Sequence, residues 1–217
     1  MNNYQGEVMD ETTSRVLDTL WRETGRPISI RELTARIRDS HGTAYYANIY
    51  QKIHALTQDG TVTLTRAGNS SLASLNFGNY LLIDQLAELD LKRKHDLLIK
   101  SEELQMLFRD IEQRLEDIRS IESISAANPE RNLKLNRAEL LILLHSRSHN
   151  HNEIIEIQRI MSDLWALHNI KLDPLILTTT EFSDFLTADE TNPLKEMIPN
   201  AITFHSPQHA LRNMCLD

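Results

Sequence analysis

Between residues 43 and 69 the chain collects side chains suited to a polar, phosphate-bearing polymer. Thr43, Tyr45, Tyr46, Asn48, Gln51 and Lys52 follow one another closely, and Arg66 and Asn69 flank a glycine shortly after. Asn and Gln carry a paired donor and acceptor that match an adenine edge bidentately, whereas Tyr hydroxyls, Lys and Arg reach phosphate oxygens. For Tyr45 and Tyr46 the competing reading is packing against the preceding helix, and for Arg66 it is a solvated loop. A second group, His145, His149 and His151, has residue types that bind zinc or nickel. Its spacing matches no closed site and no cysteine lies nearby, so these are expected to be solvated loop histidines. Cys215 is the single cysteine, which excludes an intrachain disulfide framework and any multi-thiolate zinc site. No glycine-rich phosphate loop, Gly-x-Ser-x-Gly or HExxH occurs, and no catalytic residue, metal or cofactor is expected.

The elements that must position these groups follow from apolar periodicity. Thr12 or Thr13 is expected to cap a helix over 14–24 with Val16, Leu17, Leu20 and Trp21 inward and Gly25 as its stop. Ser29, with Glu32 three residues on, opens a helix whose stripe is Ile30, Leu33 and Ile37. After a turn holding Gly42, a helix over 43–58 buries Ile49, Ile53 and Leu56. Two alternating strands follow: Val62 and Leu64 point inward on one, Ala73, Leu75 and Phe77 on the other, around a Gly-Asn tip. A helix from 80 to 99 carries Leu82, Leu86 and Leu89, and ends near a solvated basic cluster, Lys92, Arg93 and Lys94. Ser101 caps the next, with Leu104, Phe108, Ile111, Leu115 and Ile118 at alternating spacings of 4 and 3; that stripe either covers a sheet or pairs with its twin in a homodimer. Beyond it strands are expected at 118–125, 138–145, 170–177 and 201–204, with helices at 153–168 and 180–186.

Composition sets the frame. The 217 residues suffice for two domains, and no apolar run approaches a membrane span. The first residues, which precede any periodicity, lack a signal pattern, so a cytoplasmic protein is expected. The net charge of −8 is unevenly spread: residues 1–80 hold eight basic and eight acidic side chains, and the deficit lies wholly beyond them. A neutral head can still carry a locally basic face.

The order helix, turn, helix, hairpin over residues 12 to 78 resembles the winged-helix domain of prokaryotic transcriptional regulators. The resemblance implies that the helix over 43–58 is a recognition helix and that Arg66 and Asn69 sit on a wing along the sugar-phosphate backbone. A second stretch, carried by Ala138-Glu-Leu-Leu-Ile-Leu-Leu, Leu172-Asp-Pro-Leu-Ile-Leu-Thr-Thr-Thr-Glu-Phe and Asn192-Pro-Leu-Lys-Glu-Met-Ile-Pro-Asn-Ala-Ile-Thr-Phe, resembles the minimal nucleotidyltransferases of the polymerase-beta superfamily over roughly 118–205. The combination looks archaeal. In that family a Gly-Ser pair grips triphosphate, and an Asp-x-Asp with a third Asp holds two magnesium ions. Here Ser123-Ile-Ser-Ala-Ala-Asn stands for the first, Arg137-Ala-Glu139 for the second, and only Asp173 matches. An arginine in the metal cage replaces an acceptor by a fixed positive charge, so a kept fold and a lost reaction are expected.

The expected fold class is α+β: a winged helix-turn-helix domain at 1–79, a helical linker at 80–117 open to dimerisation, and a nucleotidyltransferase-like α/β domain at 118–217. The implied function is a regulator that binds double-stranded DNA as a homodimer, with the second domain mediating dimerisation or sensing a nucleotide effector, and with no membrane partner. One alternative is a divergent nucleotidyltransferase using Glu139 and Asp173 with one metal ion. The other is an interaction protein whose winged helix has lost DNA.

Overall fold

The computed structural model describes residues 9–23, 26–145, 151–187 and 192–214. Gly25, His149, Cys215 and most of the N-terminal arm lie outside them. The architecture is mixed α+β, with a three-stranded and a four-stranded sheet. The chain divides into two compact units, Met1–Leu89 and Asp90–Asp217.

In the first unit, helix α1 (Glu11–Arg22) packs with α2 (Ile30–His41) and α3 (Tyr46–Gln58) against an antiparallel sheet. That sheet has the order β1 (Ile28–Ser29), β3 (Ser70–Leu75), β2 (Val62–Ala67). Every apolar stripe assigned to the three helices is buried. The cap of α1 is Asp10 rather than Thr12 or Thr13: its carboxylate accepts the Thr13 N–H at 3.0 Å and the Thr13 hydroxyl at 2.6 Å. A full negative charge at the positive end of a helix outcompetes a neutral hydroxyl one turn later. Ser29 caps α2 as expected, its Oγ accepting the Glu32 N–H at 3.1 Å. Gly42, at φ 78°, ends α2 in the left-handed conformation that glycine adopts without a Cβ penalty. Residues 43–45 then run without helical structure, so α3 starts at Tyr46, three residues later than expected. Gly68, at φ 60°, makes the tight reversal between the paired Ala67 and Ser70.

Helix α4 (Tyr80–Leu98) runs through the division between the units. The second unit continues with α5 (Glu102–Leu115), β4 (Ile121–Ala127), α6 (Pro129–Leu133), β5 (Arg137–Leu144), α7 (His151–His168) and β6 (Lys171–Thr178). It closes with α8 (Thr179–Thr187), α9 (Pro193–Met197), one 3-10 turn, β7 (Ala201–His205) and α10 (Pro207–Met214). All four expected strands form one sheet in the order β6-β5-β4-β7, with β5 and β6 parallel and the remaining pairs antiparallel. The short helices α6, α9 and α10 were not expected. Residues 140–144 of β5 are buried without a break, as in a central strand covered on both faces. Leu104, Phe108, Ile111 and Leu115 of α5 join Ile124, Ile142 and Phe204 in one core, with the Phe108 and Phe204 rings stacked at 4.4 Å. The α5 stripe therefore covers the sheet of its own chain.

The basic cluster of α4 is dispersed. Lys92 is exposed, Arg93 pairs with Asp90 at 3.4 Å, and Lys94 donates to the Phe204 carbonyl at 2.7 Å. Asp90, nearly buried, accepts the Thr203 N–H at 3.3 Å. Edge strand β7 thus has backbone groups occupied by side chains of α4, which blunts an edge that would otherwise template association. Among the described residues no helix is long and apolar enough to cross a membrane.

Ile111 is fully buried and Met106, on the same helix, is largely exposed. Denaturant unfolding should show Ile111→Ala losing about 2–5 kcal/mol. Met106→Ala should stay within about 0.5 kcal/mol of the parent.

Candidate functional sites

Burial of Ile49, Ile53 and Leu56 turns the opposite side of α3 to solvent. Thr43, Tyr45, Tyr46, Asn48 and Gln51 are all exposed, as are Arg66 and Asn69 on the β2–β3 hairpin. Tyr45 is 71% and Tyr46 51% exposed, so neither is packed away. Helical geometry divides this face. Gln51 stands near its middle, Asn48 and Lys52 lie on the flank toward α1, and Tyr46 lies about 160° around the axis from Asn48. Lys52 is committed to Asp10, Nζ to carboxylate at 2.7 Å. Burial alone would raise the Asp10 pKa, but hydrogen bonds from Lys52 and Thr13 outweigh it and hold the carboxyl well below the usual range.

Two residues of this face were missed from the sequence. Tyr50, 42% exposed, lies 6.0 Å from Tyr46 and 4.3 Å from His54, ring centre to ring centre, so that Tyr46, Tyr50 and His54 form a ladder at spacings of four. That spacing was legible. So was a second signal: from Ser40 to Ile83 the chain holds a single carboxylate, Asp59. Asp59 accepts the Thr61 N–H at 3.0 Å and its hydroxyl at 2.6 Å. The seven other acidic residues of the first 80 precede Ser40. Arg31, Arg38 and Arg66 have no ion-pair partner among the described residues. The neutrality of residues 1–80 therefore hides a segment almost free of negative charge.

In the second unit Glu139 and Asp173 stand opposite each other on the parallel strands β5 and β6. Arg137 reaches Glu139 through Nη2 at 2.9 Å and Asp173 through Nε at 2.6 Å. Lys171 Nζ lies 2.8 Å from Asp173, and Asn132 donates to Glu139 at 3.2 Å. The hydrogen bond from Lys171, joined by that from Arg137, lowers the Asp173 pKa against the opposing effect of burial. These carboxylates are neutralised by cations of their own strands. Among the described residues no group of three or more His, Cys, Asp or Glu is placed to hold a metal ion. At the end of β4, Asn128 in the left-handed region leads into Pro129, which opens α6 and has no N–H to offer a phosphate. His145 is exposed, its Nδ1 3.9 Å from Glu122, and His151 begins α7.

No family model, curated protein or solved structure matches the chain.

A carboxylate with a lowered folded-state pKa stabilises above its unfolded value, and that contribution fades as pH falls through the folded one. In a carboxyl-resolved NMR titration Asp10 should titrate below ordinary aspartates, and Lys52→Met should move it upward. An unchanged midpoint would show that the ion pair does not govern it.

Proposed function

We propose that the protein is a DNA-binding transcriptional regulator whose first unit is a winged helix-turn-helix. The observation that supports it best is α3: a helix without a carboxylate that exposes Asn48, Gln51 and two tyrosines, in a unit whose β hairpin carries Arg66 without an ion-pair partner among the described residues. Gln51 and Asn48 read base edges, Ala47 and Ala55 between them allow close approach, and Arg66 with Asn69 follows the phosphate backbone. Lys52 is paired with Asp10 and reaches a phosphate only by leaving that partly exposed ion pair.

The second unit is a degenerate nucleotidyltransferase-like domain that serves dimerisation or senses an effector such as a nucleotide. A homodimer would use a surface other than the α5 stripe, which is spent in the core of its own unit. Nucleotidyl transfer would require Glu139 and Asp173 to bind magnesium, and both are engaged by Arg137. The reading belongs to the cytoplasm, where genomic DNA is accessible.

Purified protein should retain genomic duplex fragments, with affinity falling steeply as salt rises. Gln51→Ala should cost about 1–3 kcal/mol on the selected fragment and relax its sequence preference. Arg66→Ala should weaken all duplexes alike and reduce the salt slope by about one. Salt-independent retention, or none at low salt, contradicts the assignment.

A further inference from the structure

We infer that the Tyr46–Tyr50–His54 flank of α3 is a stacking site for unpaired nucleobases, so that the protein binds opened DNA more tightly than intact duplex. The inference rests on the DNA-binding reading and adds to it the state of the DNA. A tyrosine ring carries a large apolar surface that folding normally buries, and three tyrosines in and beside one helix leave 71%, 51% and 42% of theirs in solvent. None of them is needed to hold α3, whose buried stripe is Ile49, Ile53 and Leu56.

The ring geometry is selective. Tyr50 and His54, 4.3 Å apart and inclined by 54°, are in contact, so the His54 ring backs the Tyr50 ring. Tyr46 and Tyr50 are 6.0 Å apart and inclined by 31°. A flat base inserted between two parallel rings needs about two stacking steps of roughly 3.4 Å each. The Tyr46 and Tyr50 centroids are closer than that, so the exposed Tyr46 ring must swing away and toward parallel for a base to enter. Duplex bases keep their faces covered by their neighbours, so only unpaired bases can enter such a slot. No carboxylate lies on α3 or in the loop before it to repel a phosphate backbone running past the slot. Asn48, toward the opposite flank, is left to contact a neighbouring paired segment.

The test is fluorescence anisotropy with three probes of matched length: an intact duplex, the same duplex with a central run of unpaired thymines, and an oligothymidine strand. The opened duplex should bind about 5- to 150-fold tighter than the intact one. Tyr46→Leu and Tyr50→Leu should abolish that preference, bringing opened-duplex affinity down to that of the intact duplex for the same variant, because leucine keeps apolar bulk and loses the ring. Tyr46→Phe and Tyr50→Phe should retain it. Equal binding of opened and intact duplex, or a preference that survives both leucine variants, overturns the stacking site and leaves the regulator reading standing. A ladder that serves a protein partner would give that equal binding. Failure to bind any of the three probes overturns both.

Discussion

Everything assigned to the first unit depends on how α3 is anchored. Ile49, Ile53 and Leu56 occupy one narrow stripe and are all but inaccessible to water, which fixes the rotation of the helix about its axis. Once that rotation is set, helical geometry alone decides that Gln51 points outward, that Lys52 swings back to Asp10, and that Tyr46, Tyr50 and His54 align on one flank. A polar substitution in the stripe would therefore do more than weaken the fold. It would release the register on which every proposed contact rests.

The second unit is organised around β5. Its run from Leu140 to Leu144 is buried on both faces, and its first residue, Arg137, lies beside the facing pair Glu139 and Asp173. Two carboxylates side by side on neighbouring strands would repel each other, and Arg137 with Lys171 removes that repulsion from within the chain. The same pairing engages both carboxylates within the chain.

Much of the fold was legible, and the failures share a cause. The 4 and 3 spacing from Leu104 to Leu115 stated that α5 buries a face, but periodicity cannot say what covers it; the sheet partner Phe204 lies far along the chain. Thr13 and Asp10 are both plausible caps within one turn, and only the fold shows the carboxylate holding the hydroxyl. Thr43 looked like a helix start because Gly42 precedes it, yet the chain needs residues 43–45 to turn the corner. Asp90 and Lys94 on the β7 edge had no local signal at all. At the candidate interface, Asn48, Gln51 and Arg66 were read as exposed and are. Tyr50 and His54 were passed over because tyrosine is as much at home in a core as on a surface, and the near absence of carboxylates from 40 to 83 was hidden by a charge count taken over residues 1–80 as a whole.

The regulator function requires that the solvent face of α3 meets DNA. Backbone amide chemical-shift mapping of the full chain, titrated with a retained duplex fragment, answers this directly. Shifts centred on Tyr45–Gln51 and on the hairpin tip at Arg66–Asn69, with β5 and β6 undisturbed, are the predicted result. Shifts confined to the second unit, with α3 silent at saturation, would contradict the account.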